Sequence, residues 1–168
     1  MKGRLTLLIF ACAVLLFAAS PVIQSHAAES GEFKGSWIAN GSRIPFPFAE
    51  GRQVFTFKIA GHVNLQTALG KKRDYWAECI GLGDSVTGIV GRCVWKDLAG
   101  PEIYITIRSD RLEHGSQVTG TIVGGTGPLA GISGDLLFNW SSVIEMKDED
   151  IVTVTGQTRN LDGRYRVP

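Results

Sequence analysis

The sequence is poor in the residues that most often declare a function. Among 168 residues there are 3 Cys, 3 His and 2 Met. Charge of one sign is lacking too, with 17 basic side chains against 16 acidic ones. Lys71-Lys72-Arg73 is the one basic triplet, and a solvated turn explains it. Nucleic-acid binding needs clustered Lys and Arg, so that class is excluded. No His-x-His spacing and no Ser/His/Asp ordering is present, which leaves neither a metal site nor a hydrolytic triad to expect. Nothing calls for a cofactor. His62 falls on the polar face of its strand, His114 in a turn and His26 near the N-terminus, so none is a candidate ligand. Long apolar runs are scarce as well. One occupies residues 5–19, and none after it is long enough to cross a bilayer.

That first run has a context. Lys2 and Arg4 precede it, and Ser25-His26-Ala27-Ala28 follow it. A basic start, a short apolar stretch and small residues form the layout of a secretory signal peptide. Residues 1–28 are therefore expected to be cleaved, giving a periplasmic or secreted chain. Cys12 lies in the middle of the run rather than at its end, where a lipidated cysteine would stand. Cleavage after Ala28 leaves residues 29–168 as one domain with a net charge of −1, because Lys2 and Arg4 depart. A domain of this size can bury its own core.

Two cysteines remain, Cys79 and Cys93. An even pair in an exported chain reads as a bridge. Residues 83–88, Gly-Asp-Ser-Val-Thr-Gly, are rich in turn formers between two β-like runs. A turn centred on Val86 sets Cys79 opposite Cys93 and Ala77 opposite Trp95. A disulfide there is expected. The rival reading, a metal-binding or reactive pair, has no His beside either cysteine.

Sustained helical periodicity is absent after residue 28, and short β-branched and aromatic runs take its place. They cover residues 33–39, 52–66, 75–80, 89–96, 103–108, 117–123, 136–145 and 151–159. Pro45 and Pro47 mark an extended crossing after the first. In the second, Gly61 falls on the apolar face, which suggests a bend or bulge, with a hairpin at Ala60-Gly61 as the alternative. About eight strands with short connections favour antiparallel neighbours. The expected fold is all-β, a small closed eight-stranded antiparallel barrel, since closure removes exposed edges.

The densest signal is Gly124-Gly125-Thr126-Gly127-Pro128-Leu129-Ala130-Gly131-Ile132-Ser133-Gly134. A phosphate-cradling loop would end in Gly-Lys-Ser/Thr and open a helix, and this one opens a strand. The glycines fit a folded-over connection that needs positive φ. Here the chain resembles the allene oxide cyclase and dirigent-protein barrels. A strand ends in Gly124-Gly125-Thr126-Gly127, Leu129 stands where an aromatic is common, and Gly131 and Gly134 follow. The resemblance implies an eight-stranded barrel with an apolar interior, often oligomeric in the plant members. Those members cyclise an unsaturated fatty-acid epoxide or steer phenoxy-radical coupling. No catalytic residue of theirs maps onto a position here.

Candidate site residues come from strand parity. Phe55, Phe57, Trp95, Phe138 and Trp140 lie in strands and either fill the barrel or line a ligand space. If the cysteines point inward, Glu78 and Arg92 share the opposite face as diagonal neighbours. They are either a surface ion pair or an acid poised at the barrel mouth. The first expectation for function is a binder of a small apolar molecule. A cyclase or isomerase acting by orientation and water exclusion is the alternative, and a filled structural barrel is the third.

Overall fold

A computed structural model describes residues 28–112 and 115–168. Residues 1–27, on which the expected leader with Cys12 and His26 falls, lie outside them, as does His114. The strands are β1 (Glu29–Ala49), β2 (Arg52–Thr67), β3 (Lys72–Asp84), β4 (Gly88–Asp97), β5 (Glu102–Ser109), β6 (Gln117–Gly125), β7 (Ser133–Asn139), β8 (Ser141–Asp148) and β9 (Ile151–Val167). A single 3-10 turn, Gly127–Leu129, is the only helical piece among the described residues.

All neighbours are antiparallel, in the order β1 to β7, then β9, and β9 returns to pair with β1. This closes an eight-stranded barrel. The ninth strand does not enlarge it. β7 and β8 are two halves of the run expected over residues 136–145, interrupted at Trp140, and both lie along the same side of β9.

Parity sorts the side chains. Trp37, Ala39, Val63, Ala77, Cys79, Cys93, Trp95, Ile105, Phe138 and Leu161 point inward and are buried, while their neighbours in sequence face out. Burial of this apolar set is the main force holding the barrel closed. A row of small residues, Ala39, Gly61 and Ala77, runs in register beside Trp95. Gly61 makes neither a bulge nor a turn, for its pairing with β1 and β3 is unbroken. It is glycine because a Cβ there would strike the carbonyl of Ile38.

Two other expectations are corrected. The crossing at Pro45 and Pro47 is a continuation of β1, paired with β2 through Phe55 and Gln53. The pairing of β1 with β9 ends at Arg43, so both prolines sit where β1 has lost its second neighbour. A missing N–H costs nothing on such an edge. The last strand runs to Val167 rather than 159. It shifts register against β1 between Gly35 and Trp37, where Asn160 bonds Asn139 and Thr158.

The hairpin of β3 and β4 turns about Val86, with Asp84 paired to Gly88. Cys79 accordingly faces Cys93, their Cα atoms 4.1 Å apart, and the two form a disulfide.

Candidate functional site

The barrel has two ends, and they differ. At one end lie the start of β1, the end of β9 and the connections β2–β3, β4–β5 and β6–β7. The β6–β7 connection is the glycine-rich loop. Gly127 and Gly131 have φ of 57° and 76°, in the left-handed region that L side chains resist. These two positions let the chain fold back over the barrel instead of leaving it. The hydroxyl of Thr126 accepts a hydrogen bond from the Glu102 N–H and ties the loop to β5. Gly124 marks a register shift against Tyr104, Gly125 pairs with Ile103, and Gly134 pairs with Ile122 and Tyr165.

Folded this way, the loop lays Leu129 and Ile132 over a cavity of about 330 Å³. Its walls are apolar and aromatic, among them Phe33, Tyr75, Trp95 and Tyr165. Lys71, Arg73, Asp97 and Glu29 stand at its rim. Three of these are engaged: Arg73 lies 3.7 Å from Asp97, and Glu29 accepts a hydrogen bond from the Tyr165 hydroxyl at 3.0 Å. Burial raises the pKa of both Tyr75 and Tyr165 above the ordinary phenol value. Both phenols therefore stay protonated at neutral pH and act as donors rather than bases, and Tyr165 already gives its one proton to Glu29.

The other end is nearly full. Its cavity is about 100 Å³, lined by Phe55, Phe57, Phe138, Trp140 and Trp37. Trp37 packs edge-on against Phe138 and tilted on Trp140, with ring centroids 5.8 and 5.1 Å away. The guanidinium of Arg43 lies 5.2 Å from the centre of the Phe55 ring and pairs with Glu145.

The five aromatics singled out by sequence thus all point inward but do not form one site. Trp95 belongs to the mouth cavity, and Phe55, Phe57, Phe138 and Trp140 belong to the filled end. The indole N–H groups of Trp37 and Trp95 are sealed from solvent without a hydrogen-bond partner. Each carries a desolvation cost of about 1–3 kcal/mol.

Glu78 and Arg92 lie outside. They are exposed on the outer wall, remote from the interior, and make no ion pair with each other among the described residues. Glu78 accepts a hydrogen bond from Trp76 Nε1, and Arg92 donates to the carbonyl of Gly91. His62 is likewise on the outer wall, edge-on to Trp76 at 5.0 Å. A broad depression of about 690 Å³ also marks the outer wall, over β6, β7, β9 and β1. It is open to water and crossed by the ion pairs Lys34–Asp162 and Arg164–Asp135, which makes it a poor place to shed solvent.

Sequence reasoning missed most of the mouth. Tyr75 could have been found from parity, four residues before Cys79 on the inward face. Leu129 and Ile132 could not, because in a glycine-rich loop parity says nothing about direction. Compared with known families, characterised proteins and solved structures, the chain has no match.

Proposed function

We propose that this protein is an exported β-barrel that takes a small hydrophobic molecule into its mouth. The supporting observation is the cavity of about 330 Å³ under Leu129 and Ile132, apolar in its walls and polar at its rim. That size lies in the range of small-molecule sites, which are mostly apolar with a few placed polar groups. The closed barrel with a glycine loop between β6 and β7 agrees with the likeness to the allene oxide cyclase and dirigent-protein barrels. A disulfide agrees with folding in an oxidising compartment. No helix among the described residues is long and apolar enough to cross a membrane.

Binding is favoured over cyclisation by the polar groups available. Protonated Tyr75 can orient an acceptor atom, whereas the carboxylates that line the cavity, Glu29 and Asp97, stand at its rim and are already engaged by Tyr165 and Arg73. Shape-driven catalysis still requires groups that stabilise developing charge.

The test uses N-phenyl-1-naphthylamine, an apolar dye that fluoresces when it leaves water. The protein should bind it saturably at one equivalent. Leu129→Trp, which puts an indole into the cavity, should reduce that binding at least about tenfold while far-UV circular dichroism stays unchanged. Absence of saturable uptake, or equal uptake by Leu129→Trp, refutes the reading.

A further inference from the structure

β8 has an open side. Each other strand of the barrel pairs with two neighbours, whereas Ser141–Asp148 pairs with β9 alone among the described residues. Such an edge presents free N–H and C=O groups at the spacing another strand requires. Proteins that must keep an edge unpaired shorten it, place proline on it, bulge it or turn charges inward. β8 is eight residues long and has no proline. A bulge falls at Val143, and beyond it residues 144–148 run regularly against β9. Glu145 and Lys147 share the inner face with Val154 and Val152, and Arg43 is ion-paired with Glu145. The outer face carries Ile144 and Met146, 51% and 60% exposed, and next to them lie Ile151 and Ile44, about half exposed.

We infer that β8 is a homodimer interface, in which two copies pair their β8 strands antiparallel about a two-fold axis through Met146. Three observations fix this occupant and this register. A two-fold contact must be self-complementary, because the same patch meets itself. For two strands to share one sheet, residues directly opposite must point to the same face, so the axis passes through a residue. Of the residues beyond the bulge, Met146 alone gives opposite charges: Glu145 meets Lys147 of the second copy, and Lys147 meets Glu145. An axis through Glu145, Lys147 or Asp148 sets like charge on like charge, and one through Ile144 carries the Val143 bulge into the new ladder. The chosen register also stacks Met146 on Met146 on the outer face and sets Ile144 opposite Asp148 of the second copy.

The dimer forms one sheet across two barrels and leaves both mouths free, since β8 lies on the end opposite the Leu129 loop. It is therefore independent of the ligand reading.

Charge exchange tests it. The purified protein should sediment as a dimer in analytical ultracentrifugation. Lys147→Glu places carboxylates opposite Glu145 at both ends of the interface, and Glu145→Lys places ammonium groups opposite Lys147. Each variant alone should dimerise more weakly by on the order of tenfold. An equimolar mixture of the two restores opposite charges and should return the dimer. Thermal unfolding of each variant serves as the fold control, because Glu145→Lys also removes the partner of Arg43. A monomeric wild type, variants that dimerise like the wild type, or a mixture that stays monomeric would each overturn the inference. A further readout is Met146→Cys, which should form a covalent dimer under mild oxidation; failure to cross-link in a dimeric sample excludes this register.

Discussion

Asp84 is the residue whose surroundings most alter its chemistry. It is buried at the turn of the β3–β4 hairpin, where it accepts hydrogen bonds from Arg52 at the start of β2 and from the Val86 N–H. Arg52 first, and the backbone second, hold its carboxyl well below the usual carboxylate range. A carboxylate depressed in the folded state stabilises the fold at pH above its unfolded value, about 4. That contribution is lost as the pH falls toward the folded value. Asp84→Asn should therefore lower the urea midpoint at pH 7 and flatten its decline below pH 4, whereas a variant with the same acid dependence as the wild type contradicts this account. Nothing local in the sequence announces the pair, because its partners stand 32 residues apart and meet through the register of β2 and β3. The cysteines were legible for the opposite reason. A short turn centred on Val86 fixes which residues face each other, and Cys79 and Cys93 follow by counting. The same counting put Glu78 on the outer wall as soon as the cysteines pointed in.

At the scale of elements, alternation was readable and interruption was not. β2 shows its whole length in the alternation of Phe55, Phe57, Ile59, Val63 and Leu65, because one face meets the core throughout. The tail of β1 hides behind two prolines, which signal a loop unless one knows that β9 has already left that edge. The break at Trp140 is hidden as well, because Leu136, Phe138, Trp140 and Ile144 read as one alternation, whereas the bulge at Val143 reverses the parity and turns Ile144 outward. The mouth loop was legible as glycine-rich and folded, not as a lid of apolar side chains. The β3–β4 hairpin carries the element-level prediction. Its disulfide joins residues 14 apart and removes about 3 kcal/mol of unfolded-state entropy. Reduction, or Cys79→Ser with Cys93→Ser, should lower unfolding stability by roughly that amount, and thiol titration of the unreduced protein should find no free sulfhydryl on either. Stability unchanged by reduction would show that the hairpin is held by its ladder alone.

Across the whole molecule, the barrel depends on its last strand. β9 pairs with β1 along most of its length, with β8 by its first half and with β7 by its second. A chain ending at residue 150 should lack cooperative thermal unfolding and be cut rapidly by protease; a truncated chain that melts cooperatively would show that strands β1 to β8 suffice. The pairing of first strand to last has a temporal meaning too. Glu29 meets Val167, so the closing contacts span nearly the entire described chain, and such closure is slow because loop entropy must be lost before the contacts repay it. A growing chain cannot close this barrel before β9 has left the ribosome. Until then it remains an open, unclosed ribbon, the state in which a polypeptide can still be threaded through a narrow pore.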